Sequence, residues 1–167
     1  AAVGIGFGGP VDARAGIVLQ SFQVSGWEGF HLVDWARRTW DRPVAIANDA
    51  AAAGLAETML GAGRDAQRVF YMTIGSGIGG GWIAGGCIDH GQGTGMAELG
   101  HTYVPDPQTG TAAELETICS GWAIGRRARA AAEQEPSRMV ELAGSAAAID
   151  ARIVYAVAEA GDAVARR

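Results

Sequence analysis

The stretch VAIANDAAAAGLAETML, residues 44–60, decides the fold class. Its first four residues form a short apolar run that is typical of a buried strand, and the polar pair Asn48 and Asp49 follows where that strand ends. Residues 50–60 are rich in Ala, Leu, Glu and Met, which favour helix, and glycines close the segment. The stretch therefore predicts a strand, a polar turn and a helix, as found in α/β proteins.

The flanking segments extend this pattern in both directions. The sequence predicts strands at residues 1–7, 16–19, 69–74 and 82–84, and helices at 32–40, 115–132 and 146–164, the last as one or two helices. The first strand runs into the turn Gly8-Gly9-Pro10, and residues 16–19 are expected to return and pair with it. The predicted fold is an α/β domain with C-terminal helices.

Composition and charge exclude several classes of protein. The chain has 167 residues, a formal net charge of −5 and basic residues that are all Arg and scattered, so we expect no nucleic-acid partner for this segment. No run approaches the ~20 apolar residues that span a bilayer, and no membrane association is expected. Two isolated cysteines, Cys87 and Cys119, are too few for a disulfide framework and indicate a reducing, cytoplasmic compartment.

Both ends of the sequence are abrupt. Residues 1–7 have the pattern of a buried strand already under way, and residues 163–167 still have helical character without a stop signal. We therefore expect residues 1–167 to be one region of a larger protein.

Asp49 is the first candidate for chemistry. It follows a predicted strand at the edge where α/β proteins often place ligand groups, and a carboxylate there can act as a general base. The alternative is that Asp49 only caps the helix that follows it. The residue alone leaves both interpretations open.

The glycine run GSGIGGG, residues 75–81, is the second candidate. A backbone without side chains lets N–H groups approach anionic oxygens closely, and Ser76 adds a hydroxyl donor, so the run is typical of a phosphate cradle. The alternative is a structural hairpin loop between two strands.

Three further polar residues lie in the second half of the chain. Glu98 and His101 flank Gly100 between Gly-rich and Pro-rich stretches, where their side chains suit sugar hydroxyls. Glu116 is expected in the first turn of a helix, a place that the helix dipole also favours without any function. A lone His is more often a structural residue than a ligand, so His101 taken alone favours a structural role, and the sequence suggests no role for His90.

Taken in order, these segments resemble the ROK family (repressor, open reading frame, kinase) of sugar kinases and repressors. The matching motifs are GFGGPVD at 6–12, GWEGF at 26–30, NDA at 48–50, GSGIGGG at 75–81, AELGH at 97–101 and LETICSGWAIGRRA at 115–128. Together they cover nearly the whole chain and are far more specific than any one of them.

The resemblance implies an actin-like ATPase fold of the ribonuclease H-like type, present here in part. It implies ATP-dependent phosphorylation of a hexose or N-acetylhexosamine, with Mg²⁺ as a cofactor. A homodimer is one of the oligomeric states that the resemblance leaves open. Asp49 would be the catalytic base and Ser76 and Gly77 part of a phosphate loop. The sugar would be held by Asn48, Glu98, His101 and Glu116 and by the backbone of Gly9, and these residues are expected to meet in one cleft. Because the side chains grip the far side of the ring, the 6-OH is the expected acceptor.

The zinc motif of the family is the main departure from the pattern. Its His is followed by CxCGxxGCxE, whereas the cysteine positions counted back from Glu116 hold Pro107, Thr109 and Glu114. His101 alone cannot make a tetrahedral site, so we expect no structural zinc and a loop held by packing instead.

An alternative function follows from the same resemblance. ROK repressors use this sugar domain as a sensor behind a DNA-binding segment, but they tend to lose the Asn of the Asn-Asp pair and the phosphate glycines. Both features are present here, which favours the kinase. The sequence does not distinguish glucose from N-acetylglucosamine or N-acetylmannosamine.

Overall fold

The computed structural model describes residues 1–21, 24–92 and 96–167, which form two compact units. Unit 1 comprises residues 1–73 and 79–98, and unit 2 comprises residues 74–78 and 99–167. Within the described residues, no helix combines the length and apolarity needed to cross a membrane.

Unit 1 contains most of the strands. Its elements are β1 Val3–Phe7, β2 Val11–Asp12, β3 Ile17–Val18, α1 Leu32–Trp40, β4 Val44–Asn48, α2 Asp49–Leu60, β5 Arg68–Ile74, β6 Ile78–Ala84 and β7 Cys87–Ile88. The facing ends of β5 and β6, Ile74 and Ile78, belong to unit 2. The predicted strand, turn and helix at residues 44–60 are confirmed as β4 and α2.

The predicted pairing of the first strand is wrong. β1 lies parallel to β4, from Val3 opposite Val44 to Phe7 opposite Asn48, whereas β3 pairs antiparallel with the short β2. The Gly8-Gly9-Pro10 turn redirects the chain before β2 begins, so the return strand meets β2 instead of β1. Because β1 and β4 are parallel, their carboxyl ends lie at the same edge, where Gly8, Gly9 and Asp49 follow.

An apolar cluster joins these elements. Leu32, Val33 and Ala36 recur at helical spacing on one face of α1 and are buried against Val18, Val44 and Ile46. Burial of one such aliphatic side chain contributes roughly 1.5–3 kcal/mol. The cluster therefore fixes β4, and with it the residues at its end.

The interpretation of residues 75–81 as one loop is correct only for its first part. β6 begins at Ile78, so Gly79 to Gly81 are strand residues and the connection is limited to residues 75–77. A Cβ at Gly81 would lie 2.6 Å from Cα of Ala51, which shows that α2 packs directly on the bare backbone of β6. Close packing against neighbouring backbone therefore requires a glycine at position 81.

Unit 2 is mainly helical. It contains a 3₁₀ turn at Leu99–His101, β8 Tyr103–Pro105, β9 Ala112–Glu114, α3 Leu115–Cys119, α4 Gly121–Gln134, α5 Arg138–Ala143, a second 3₁₀ turn at Ala146–Ala148 and α6 Ala151–Glu159. Met139, Ile149, Val154 and Val157 form its buried core with Ala128.

Two predicted helices of unit 2 are interrupted. The single helix expected at residues 115–132 breaks at Ser120, which has an extended backbone and accepts a hydrogen bond from the Ala123 N–H at 3.2 Å. The segment 146–164 begins with a 3₁₀ turn, and α6 starts only after Asp150, whose carboxylate accepts from the Ile153 N–H at 3.0 Å. In each case a side-chain oxygen stabilises a new helix start.

Asp162 holds the C-terminal segment onto α5. Its carboxylate accepts hydrogen bonds from the N–H groups of Arg138 at 3.0 Å, Val164 at 2.9 Å and Ala165 at 3.0 Å. These N–H groups, that of Ala165 first, hold the pKa of the Asp162 carboxyl below its usual value. The charged form therefore stabilises the folded state.

We expect Asp162→Asn to lower the melting temperature at about pH 7, by an amount that shrinks as the pH falls below about 4. A carboxyl with a lowered pKa in the folded state stabilises above its unfolded pKa and loses that contribution as the pH falls through the folded pKa. Thermal unfolding followed by circular dichroism from about pH 7 to pH 3 measures this. Asp65→Asn is the control, since no hydrogen bond to the exposed Asp65 side chain is found among the described residues. A difference independent of pH would contradict the assignment.

Candidate active site

Asn48 connects the two turns that follow β1 and β4. Its Oδ1 accepts a hydrogen bond from the Ala51 N–H at 3.1 Å and so caps α2, while its Nδ2 donates to the carbonyl of Gly9 at 3.3 Å. The structure therefore brings two predicted sugar-binding residues, Gly9 and Asn48, into direct contact. The side-chain amide uses both of its polar ends for this connection.

Asp49 lies in the first turn of α2, beside the capping residue. Its Oδ1 accepts from the Ala50 N–H at 2.8 Å, and the side chain is exposed. Among the described residues, no protein donor contacts Oδ2. Asn48 is the cap of α2, and Asp49 adds one hydrogen bond to the same helix start, which leaves its other carboxylate oxygen, Oδ2, at the sheet edge.

A cavity of about 290 Å³ lies within unit 1 and includes two predicted site residues, Asn48 and Glu98, in its lining. Polar side chains from residues 12–14 and from the segment after β7 line it too, namely those of Asp12, Arg14, Asp89, His90 and Gln92. Asp49 is not among the described residues that line the cavity. A ligand in it would meet carboxylates, two amides, a guanidinium and an imidazole, groups that donate to and accept from hydroxyls.

His90 and Asp89 belong to this lining although sequence reasoning suggests no role for them. Both lie directly after β7, in a stretch with no periodic pattern, and no local signal distinguishes them from surface residues. Only the folding of that segment beside Asn48 and Glu98 brings them into the cavity.

In unit 2, the loop of residues 75–77 is fixed to the start of α4. The carbonyls of Gly75 and Ser76 accept from the N–H groups of Gly121 at 2.8 Å and Trp122 at 3.3 Å, and the Gly75 N–H donates to the Gly77 carbonyl at 2.9 Å. Among the described residues, the N–H groups of Ser76 and Gly77 donate to no protein acceptor. The loop thus directs carbonyls at the helix and leaves two N–H groups for an anion.

Glu116 supports the same loop from α3. Its Oε2 accepts a hydrogen bond from the Ile78 N–H at 2.7 Å, and a Cβ added at Gly77 would collide with the carboxylate. This supporting role spans 38 residues of sequence, and no local pattern predicts it. A sugar-binding role for Glu116 stays a prediction.

His101 ends the first 3₁₀ turn and lies beside Glu114. Its Nδ1 is 3.3 Å from Oε2 of Glu114, and the hydroxyl of Tyr103 is 3.4 Å from Oε1 of the same carboxylate. Glu114 stands where the zinc motif has a cysteine, so a carboxylate contacts the histidine at that position. Within residues 1–21, 24–92 and 96–167, no three His, Cys, Asp or Glu side chains group as metal ligands, and the expected lack of zinc stays a prediction.

The shortened loop is held by a β-hairpin. β8 and β9 pair antiparallel, with Tyr103 opposite Glu114, and the turn between them closes with hydrogen bonds from the Asp106 N–H to the Thr111 carbonyl at 2.8 Å and from the Gly110 N–H to the Asp106 carbonyl at 2.7 Å. Backbone pairing therefore joins the two ends of this segment, in addition to the side-chain packing that the sequence analysis expects.

The predicted site residues meet in two groups. Gly9, Asn48, Asp49 and Glu98 belong to unit 1, and Ser76, Gly77, His101 and Glu116 belong to unit 2. The meeting of both groups in one cleft stays a prediction.

Comparison with known proteins relates this chain to sugar kinases and regulators. The chain is 36% identical over 165 residues to a glucokinase of Thermotoga maritima, which covers 96% of this chain and 52% of that protein. It spans about half the length of the curated relatives that match along its whole length.

Solved structures give the same relation. A glucokinase from Streptomyces griseus in complex with glucose and AMPPNP has a TM-score of 0.82 and 35% identity, over 98% of this chain and 55% of that one. A ROK family transcriptional regulator, a homolog of the E. coli MLC protein, has a TM-score of 0.83 and 29% identity, over 98% of this chain and 41% of that one. The expected actin-like ATPase fold is confirmed by these neighbours.

The sequence model of the ROK family matches residues 1–167. The motifs at the glycine turns, the Asn-Asp pair and the AELGH segment lie inside this match. The chain belongs to the ROK family.

Proposed function

We propose that residues 1–167 are the sugar-binding and catalytic region of an ATP-dependent hexose kinase that phosphorylates the 6-OH. One observation carries the proposal: Asn48 ties the Gly9 turn to the start of α2, and the adjacent Asp49 presents an exposed carboxylate oxygen at the same sheet edge. This is the arrangement that positions a general base beside a bound hydroxyl. The glucose complex of the S. griseus relative supports a hexose as the substrate class.

In the proposed reaction, Asp49 accepts the proton of the sugar hydroxyl as that oxygen attacks the terminal phosphorus of ATP; the bond from this phosphorus to the bridging oxygen breaks, and ADP leaves. Glu98 and Asn48 would hold other hydroxyls from the cavity of unit 1, and His101 and Glu116 would contribute from unit 2. The Asn48 side chain already caps α2 and donates to the Gly9 carbonyl. Its role in the site would therefore be to fix the Gly9 turn as well as to contact the sugar.

The phosphates of ATP are proposed to bind at the loop of residues 75–77. Two N–H groups of this loop donate to no described acceptor, and the collision of any Gly77 side chain with Glu116 keeps the backbone bare, so the loop fits a phosphate group. Bound ATP supplies the phosphoryl group, with Mg²⁺ as its companion ion neutralising charge on the phosphates. Ser76 and Gly77 would hold the phosphate oxygens while the loop carbonyls stay fixed to α4.

A second candidate function is a sugar sensor in a transcriptional regulator. The observation in its favour is the TM-score of 0.83 to the ROK regulator. The retained Asn48-Asp49 pair and the bare phosphate loop favour the kinase, because a sensor needs neither a base nor phosphate-binding N–H groups. For the kinase we also propose a cytoplasmic location, in line with the free, exposed Cys87 and Cys119.

We expect Asp49→Asn in the full-length protein to lower kcat by ~10²–10⁴-fold, while KM for the hexose changes much less. The amide can still hydrogen-bond a hydroxyl but cannot take its proton. Coupled-enzyme kinetics and calorimetry with a panel of hexoses measure both effects. Glu98→Gln and His101→Ala should instead weaken sugar binding.

The matched control is Asp34→Asn, since Asp34 also lies in the first turn of a helix of unit 1 and shares the helix-dipole effect. It should leave kcat unchanged. Near-normal turnover of Asp49→Asn would exclude the base, and hexose binding by the wild type without any ATP-dependent phosphorylation would favour the sensor.

We expect Gly77→Ala to raise KM for ATP by about tenfold, or ~1.4 kcal/mol, because the new methyl group displaces either the loop or Glu116. Gly75→Ala is the control: a Cβ there meets no atom within 4 Å, so its effect should be much smaller. Steady-state kinetics with varied ATP compare the two. Equal effects would show that the contact with Glu116 does not shape the phosphate loop.

A further inference from the structure

In the described part of the protein, β5 is covered on one of its two faces only. On the inner face Tyr71 packs against α2, since a Cβ added at Gly54 would lie 2.7 Å from Cβ of Tyr71. Because side chains alternate along a strand, the opposite face carries Phe70, Met72 and Ile74, which are 43%, 47% and 55% exposed. Three large apolar side chains in a row thus remain in contact with water, and we call them the apolar face of β5.

The outer edge of β5 has the same character. Among the described residues, the sheet has the strand order β5-β6-β7, so β5 pairs with β6 alone. Residues 69–74 contain no charged residue and no proline, although proteins usually place such residues on an edge strand that stays in solvent. A strand without this protection is typical of one that another element covers.

The apolar face continues onto the neighbouring strand. Trp82 of β6 is half-buried and contacts Phe70, with the ring centroids 5.7 Å apart. Contiguous exposed apolar side chains mark an interaction surface, whereas single ones are ordinary. The surface formed by β5 therefore fits a partner that brings apolar side chains to the face and an extended backbone to the free edge.

The length of the relatives indicates what this partner is. The match covers 52% of the T. maritima glucokinase and 55% of the S. griseus chain, so these relatives contain nearly as much chain again outside the matched region. A segment of the same polypeptide meets β5 at a high effective concentration, which a second molecule does not have. The remainder of the full-length protein is therefore the favoured occupant.

We propose that the apolar face and the free edge of β5 are the docking surface for the part of the full-length protein that lies outside residues 1–167. The docked segment pairs with the free edge and packs apolar side chains on Phe70, Met72 and Ile74. Because Ile74 directly precedes the loop of residues 75–77, the same segment also fixes the strand end at which that loop begins. This inference holds for a kinase and for a sensor alike.

Methionine oxidation in the wild-type full-length protein measures whether β5 is covered. Met72 belongs to the apolar face, Met139 in the core of unit 2 is fully buried, and Met59 near the end of α2 is 60% exposed. Peptide mass spectrometry measures the sulfoxide that hydrogen peroxide forms at each methionine, for the folded protein and in denaturant. We expect folding to slow the oxidation of Met72 by at least about tenfold, as for Met139, while Met59 shows that the oxidant reaches an exposed thioether.

Photo-cross-linking identifies the occupant. In the full-length protein, the photo-cross-linker p-benzoylphenylalanine replaces Phe70, and in the control it replaces Leu60, which is 82% exposed at the end of α2. We expect the first variant to give a product with the mass of a monomer in which position 70 is joined to a peptide outside residues 1–167. The control should give this product in much lower yield.

The proposal is overturned if Met72 is oxidised as fast in the folded protein as in denaturant, since the apolar face is then open to solvent. A cross-linked dimer would assign the surface to a second copy and would overturn it too, as would a cross-link confined to residues 1–167. Neither measurement depends on phosphorylation, so failure of the proposed function would leave this inference standing.

Discussion

The side-chain amide of Asn48 is the interaction on which the site of unit 1 depends. It caps α2 through the Ala51 N–H and holds the Gly9 carbonyl, so the ends of β1 and β4 and the start of α2 are fixed by one residue. A lost cap costs about 1 kcal/mol and a lost hydrogen bond about the same. Loss of the Asn48 contacts would matter more for the position of Asp49 than for stability, because Asp49 directly follows Asn48 in the chain.

In unit 2, too, a side chain fixes a backbone turn by hydrogen bonding, and here the side chain is a carboxylate. Glu116 holds the Ile78 N–H, and α4 holds the carbonyls of Gly75 and Ser76, so the short loop between β5 and β6 is fixed on both sides. The N–H groups of Ser76 and Gly77, which donate to no acceptor among the described residues, are the ones proposed to hold a phosphate. In both units, then, side chains that fix backbone turns lie next to the groups assigned to substrate.

Sequence patterns predicted the features of the fold that depend on residues close together in the chain. The strand, turn and helix at residues 44–60 and the α/β class follow from short-range periodicity, and the family follows from ordered motifs. The partner of β1, the break at Ser120 and the strand position of Gly81 depend on contacts between distant residues or on caps, which periodicity does not show. The family motifs allowed Asn48 and Glu98 to be placed together, whereas the contact of Glu114 with His101 and the position of His90 in the cavity lining could not be predicted.

The central claim is the proposal that Asp49 receives the proton of a hexose hydroxyl and that the loop of residues 75–77 holds the phosphates of ATP. A crystal structure of the full-length protein with a hexose and a non-hydrolysable ATP analogue tests it most directly. The account predicts one hydroxyl about 2.6–3.2 Å from the Asp49 carboxylate and the terminal phosphate next to the N–H groups of Ser76 and Gly77. A hexose bound with every hydroxyl out of reach of Asp49, or a phosphate chain remote from that loop, would contradict it.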